Sequence, residues 1–238
     1  IQLIQEKGVP IVNLSLDDKH VFIPRRDIKT PNGLLPLIRY FNVNLTNSLD
    51  CIRWYLAKKA PAYYFPEAVD CSLFQKQDVP KDIDVSFIGA KYGYRAEFIN
   101  SLRKYRINVE CFGPGWGREN LSFDEVISVY NRTKINLGIG WTGISKKLTC
   151  LKGRDFEVPA TGNLYLTTYD REIAQFFDIG REVACYYNEE DCVEQIRYYL
   201  ERLDEAAAIG KRARERCLKE HTWEKRINGL LQWMGILV

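Results

Sequence analysis

Short apolar runs alternate with longer amphipathic stretches along the whole chain, which is the pattern of βα units and a mostly parallel sheet. Pro10 to Leu14, Phe41 to Leu45 and Ala62 to Phe65 read as strands, with a helix from Leu49 to Lys59 behind the polar cap Thr46-Asn47-Ser48. The alternation pauses over Pro66 to Asp82, which has no period and carries two of its prolines at Pro66 and Pro80. It then resumes with strands at Ile83–Ile88, Ile107–Phe112, Ile135–Ile139, Leu164–Leu166 and Glu182–Tyr187. Helices are expected over Tyr94–Tyr105, from the cap Ser122 to Asn131, and over Leu151–Ala160, Asp170–Phe177, Glu189–Arg202 and Glu205–Lys219. A last helix is expected from the cap Thr222 to Met234. Ser122 with Glu125 has the spacing of a capping box.

The pause reads as a linker, with a boundary near residues 68 to 80, and divides the chain into a first domain over 1–72 and a second over 73–238. The second holds a complete small α/β set, and its final helix is expected to pack back on the first domain. The first supplies only three strands. A chain that opens on Ile1 inside an apolar stretch reads as a piece of a longer one.

Composition changes the picture by exclusion. At 238 residues and 46% apolar, the chain can bury a core. Thirty-four Lys and Arg against thirty-one Asp and Glu leave +3, which excludes a generic nucleic-acid binder. No apolar run approaches the roughly 18 residues of a membrane span and no basic leader opens the sequence, so a cytoplasmic location is expected. The seven cysteines are odd in number, scattered and never paired as C-x-x-C, which suggests reduced thiols and no zinc knuckle. Asn13, Asn44, Asn120 and Asn131 head glycosylation-type triplets that matter only in a secreted protein. With only His20 and His221 present, a Ser-His-Asp triad or a histidine-rich metal site is disfavoured, and His221 reads as structural.

Candidate chemistry collects at strand ends. Lys152, Gly153 and Arg154 open the helix expected at Leu151, where cations oppose the helix dipole and invite an anion such as phosphate, or else decorate a solvated turn. Glu157 can accept hydrogen bonds from two vicinal hydroxyls of a ribose, or pair with Arg154 on the same helix face. Gly89 and Arg95 stand in the loop after one strand, where open α/β sheets gather ligands, although the text is neither a Rossmann fingerprint nor a P-loop. Gly113, Gly115 and Trp116 form either a base-binding loop with a stacking ring or a tight turn with a packed one. The run Gly138 to Gly143 with Trp141 is similar, and Lys146 and Lys147 can meet phosphate or water. Asp17, Asp18 and His20 at a strand end are candidates for acid and base work, or a solvated turn.

The strings Leu151-Lys-Gly-Arg-Asp-Phe-Glu-Val-Pro-Ala-Thr-Gly162, Leu164-Tyr-Leu-Thr167 and Glu220-His-Thr-Trp-Glu-Lys-Arg226 resemble the C-terminal domain of GT-B glycosyltransferases, specifically the CgeB-like spore maturation family. Tyr64 to Asp70, Phe87-Ile-Gly89 with Arg95, Phe112 to Trp116, and Leu16-Asp-Asp18 fit the same family. The resemblance implies two Rossmann-like domains, the first incomplete here, and transfer of a sugar from a UDP- or GDP-sugar type donor without an obligatory metal or other cofactor. The acceptor implied is a saccharide, a lipid-linked species or a protein. It further implies that Glu157 holds the donor ribose, that Arg95 with Lys152 or Arg154 neutralises the diphosphate, and that the loop with Gly113, Gly115 and Trp116 faces the base, beside Gly89. Eight residues before Glu157, where the family's paired glutamate stands, this sequence has Thr149. Asp18 is the candidate base. A nucleotide-sugar epimerase of the same fold and a non-catalytic nucleotide-binding module are the alternatives.

Overall fold

The computed structural model describes residues 2–23, 33–117, 120–142 and 148–236, the side chains of Gln2 and His20 excepted. The chain forms two compact units, one made of the residues up to Glu67 with those from Arg226 onward, the other of Ala68–Lys225.

The first unit contains α1 (Gln2–Gln5), β1 (Val12–Ser15), α2 (Asp18–Val21), a 3-10 turn at Ile38–Tyr40, β2 (Val43–Thr46), α3 (Leu49–Leu56) and β3 (Ala62–Tyr64). The three strands pair in parallel in the order β1-β2-β3, with Val12 opposite Val43 and Asn44 opposite Ala62. Helix α3 buries Cys51 and Tyr55 against Phe22, Ile38 and Ala60, so its inward stripe follows the apolar spacing that makes it a helix.

The second unit begins with β4 (Ile83–Ile88), α4 (Arg95–Lys104), β5 (Glu110–Phe112), α5 (Phe123–Arg132), β6 (Thr133–Leu137) and α6 (Arg154–Ala160). It continues with β7 (Leu164–Thr168), a 3-10 turn at Ile173–Gln175, β8 (Ala184–Tyr186), α7 (Glu189–Leu200) and α8 (Leu203–Glu220). Its parallel sheet runs β5-β4-β6-β7-β8. The strand order therefore reverses between β4 and β6, and the crevice beyond their carboxyl ends is where such sheets take ligands. One face is covered by α4 and α7, with Phe98 stacked on Tyr186 at 5.5 Å; the other by α5 and α6 through Ile127, Phe156 and Val158. The last helix, α9 (Trp223–Trp233), brings Trp233 onto Tyr63 at 4.8 Å and Arg226 to the Glu67 carbonyl at 3.3 Å, both within the first unit.

Three expectations are corrected. The helix expected over Asp170–Phe177 is only the 3-10 turn, with the Asp170 carboxylate accepting the Glu172 N–H at 2.6 Å ahead of it. Helix α6 starts at Arg154 rather than Leu151, because the Lys152 N–H is taken by the Asp155 carboxylate at 2.5 Å. The segment after Pro66 is no bare linker. Val69 exchanges backbone bonds with His221 and Trp223 at 3.0 and 3.3 Å, and Asn131 donates to the Gln75 carbonyl at 3.0 Å.

Candidate functional site

The carboxyl end of β4 leads into a loop at Gly89, and that of β5 into one at Gly113. The two loops are laced together: Gly89 N–H donates to the Phe112 carbonyl at 2.9 Å and Lys91 N–H to the Pro114 carbonyl at 2.8 Å. Gly113 has φ +113°, and a Cβ there would stand 3.0 Å from the Gly89 carbonyl, so the close approach requires a residue without a side chain. Gly115, at φ +87°, lies against Lys91 in the same way.

Trp116 closes this corner. Its indole N–H donates to the Gly89 carbonyl at 2.8 Å, its edge meets Phe87 at 6.2 Å, and the exposed Lys91 ammonium stands 5.4 Å from its ring centre. The ring is packed on the turn and half-buried. Trp141 is likewise core, wedged among Tyr94, Phe98 and Tyr186 at 5.4, 4.9 and 5.9 Å. Gly143, Lys146 and Lys147 lie outside the described residues. Thr149 forms a bridge with Trp141.

Arg95 and Arg154 both turn towards backbone carbonyls of the loops. Arg95 is 5% exposed, donates to the Ala90 carbonyl at 3.0 Å and lies between the rings of Tyr92 and Phe87 at 4.3 and 5.6 Å. Arg154 reaches into the crevice where the strand order reverses. It donates to the Ile139 carbonyl at 2.7 Å and the Ile88 carbonyl at 3.5 Å, and lies 5.2 Å from the Phe87 ring centre. Carbonyls at these strand ends attract a cation, so both guanidinium groups brace the loops. Lys91 is exposed in the loop after β4, and Lys152 is half-buried just before α6.

Glu157 sits one turn into α6, half-buried. Tyr130 donates its hydroxyl to Glu157 Oε2 at 3.3 Å, while Arg154 turns to the strand carbonyls instead of pairing with Glu157. Burial pushes the Glu157 carboxyl above its ordinary range, opposed by the Tyr130 hydroxyl and the Arg154 charge. Beside it Asp155 is buried, accepts the Tyr165 hydroxyl at 2.6 Å, and is pushed up by burial as well. Gly89, Gly113, Gly115, Trp116 and Arg154 thus share one set of strand ends in the second unit, with Glu157 one turn beyond Arg154 on α6. Tyr130 and Lys91 join them, neither of which was singled out by its sequence context.

Asp18 belongs to the first unit. It is 1% exposed and accepts the Tyr55 hydroxyl at 2.7 Å, and burial raises its pKa against hydrogen bonds from Ser15, Thr46 and Tyr55. In this arrangement the carboxylate ties α2 to α3 rather than presenting a base to solvent. Asp17 precedes α2 without capping it by its side chain, and the His20 side chain lies outside the described residues. His221 is buried among Phe156, Phe176 and Phe177. Among the described residues no three His, Cys, Asp or Glu side chains cluster as metal ligands, and no helix is long and apolar enough to cross a membrane.

A family model described as glycosyl transferase-like matches residues 95–232. No curated protein sequence matches the chain. Similar solved structures include sucrose-phosphate synthase from Thermosynechococcus elongatus, with TM-score 0.65 and 13% identity over 98% of this chain and 69% of that one. Anabaena HepE in complex with UDP-glucose gives TM-score 0.70 and 9% identity over 97% and 73%. TarM, of S. aureus, gives 0.68 and 10% over 95% and 50%. At these identities the likeness is one of fold, the GT-B architecture of paired parallel-sheet units. The chain spans between half and three quarters of the length of these structures.

Proposed function

Because the chain belongs to the glycosyl transferase-like family, we propose that it moves a sugar from a nucleoside-diphosphate donor to an acceptor hydroxyl, the second unit binding the donor nucleotide. The finer CgeB-like assignment is part of this proposal. The observation that carries it is Glu157, a half-buried carboxylate on α6 one turn after Arg154, whose guanidinium reaches the carboxyl end of β4 and the Ile139 carbonyl after β6. An ionised carboxylate is the acceptor that a ribose diol needs. HepE, a structure of similar fold, is solved with UDP-glucose, which makes a uridine or guanosine diphosphate sugar the first class to try.

In the transfer, the acceptor oxygen forms a bond to the anomeric carbon as that carbon's bond to the diphosphate oxygen breaks. The electron pair leaves with the nucleoside diphosphate, and the acceptor proton passes to a base or to water. Lys91 and Lys152 supply positive charge at the loop rim where the leaving diphosphate gains charge. The braced Arg95 and Arg154 hold the loops that position them. The acceptor class remains a saccharide, a lipid-linked species or a protein. Localisation in the cytoplasm belongs to the same proposal.

Thermal shift with UDP, GDP, ADP, TDP and CMP, followed by incubation with the matching sugar donor, tests the reading. One diphosphate is expected to stabilise the chain, and the donor is expected to release that diphosphate in step with a glycosylated acceptor. Conversion of the donor without acceptor would instead make the protein an epimerase. Binding with neither transfer nor hydrolysis would make it a nucleotide-binding module.

A further inference from the structure

We propose that Tyr130 is a positioning residue for Glu157, and that this pair makes the nucleotide site prefer a ribonucleotide over its 2′-deoxy form. The proposal rests on the donor site proposed above. Tyr130 is 3% exposed on α5, its ring 6.4 Å from that of Phe74, and its hydroxyl donates to Glu157 Oε2 at 3.3 Å. The opposite oxygen, Oε1, lies over Gly153, where a Cβ would stand only 2.8 Å away. The carboxylate is therefore folded back over the first turn of its own helix, held by a hydroxyl on one side and admitted by a bare backbone on the other.

An ionised carboxylate offers about four lone-pair directions. Tyr130 takes one on Oε2 and leaves the others to a vicinal diol. Burial disfavours the charged form of Glu157, while the donated hydrogen bond favours it, and the charged form accepts from both ribose hydroxyls. The other charges facing it are Arg154 and Asp155 of its own helix. A 2′-deoxyribose offers only one of the two hydroxyls, so the benefit of an oriented carboxylate is expressed mainly on the ribonucleotide.

The test is calorimetric titration of the whole chain with UDP and GDP and their 2′-deoxy forms, using wild type, Tyr130→Phe, Gly153→Ala and Glu157→Gln. Wild type is expected to prefer the ribonucleotide by about tenfold, the scale of one charge-assisted hydrogen bond. In Tyr130→Phe the preference should fall to about threefold or less with affinity for the deoxy form nearly unchanged, since most of one hydrogen bond's worth is lost. Gly153→Ala, which presses on the carboxylate from the other side, should lower the ratio in the same way and serves if Tyr130→Phe does not fold. A merely structural role for Tyr130 would weaken both forms equally, and an unchanged ratio in both variants overturns the proposal. If wild type itself shows no preference and Glu157→Gln binds as wild type does, or if neither diphosphate binds, the donor-site reading falls instead.

Discussion

The two units end their parallel strands in opposite ways. In the first, the ends of β1 and β2 carry buried polar side chains that bond within the unit: Asp18 takes the Tyr55 hydroxyl, and Asn47 donates to Glu67 at 3.2 Å and to the Leu16 carbonyl at 2.8 Å. In the second, the ends of β4, β5 and β6 are followed by Gly89, Gly113 and Gly138, and the groups gathered there are loop backbone, cations at the rim and the half-buried Glu157. Polar groups buried from solvent and turned towards each other offer little to a ligand, whereas glycine-built ends keep backbone within reach. The same strand geometry thus serves stability in one unit and recognition in the other.

The comparison breaks most severely at Gly138. A Cβ there would stand 2.3 Å from both Thr167 Oγ1 and Tyr165 Oη, and the Gly138 carbonyl also takes the Tyr186 hydroxyl at 2.7 Å. Gly138→Ala is expected to destabilise by about 3 kcal/mol or more through overpacking, seen as a large drop in melting temperature with nucleotide binding lost alongside. In the first unit the corresponding break is Tyr55→Phe, which takes from the buried Asp18 the hydroxyl bonded to it at 2.7 Å. It should cost about 1–3 kcal/mol in denaturant unfolding and leave nucleotide affinity unchanged.

A smaller effect separates Asp18→Asn from wild type by pH. Because burial raises the folded pKa of Asp18 above its ordinary 3.8, the folded chain takes up this proton before the unfolded one does. Wild type should therefore gain stability relative to Asp18→Asn as pH falls from neutrality towards 3.8. Urea titrations of both proteins across that range read the difference directly, and a gap that is flat or of opposite sign would show that Asp18 is not desolvated.

Legibility in the sequence follows the same division between local and distant causes. The capping box at Ser122 and Glu125 is present with bonds of 2.7 and 3.3 Å, because both partners lie within one turn. The strands of both sheets stand where their apolar runs place them. The segment after Pro66 looked like a linker because its partners, at Asn131, His221 and Trp223, are far along the chain. The family resemblance singled out Glu157, but not Tyr130, whose hydroxyl comes from another helix. The carbonyls that Arg95 and Arg154 meet, at Ala90, Ile88 and Ile139, depend on how the fold brings the loops together.

The most direct measurement is the affinity of the stabilising nucleoside diphosphate for wild type, Glu157→Ala and Asp18→Asn. Loss of about 10- to 100-fold in Glu157→Ala, on the scale of hydrogen bonds to a charged group, with Asp18→Asn binding as wild type does, is what a recognition end in the second unit and a closed end in the first predict. Wild-type affinity in Glu157→Ala, or an equal loss in Asp18→Asn, would contradict it.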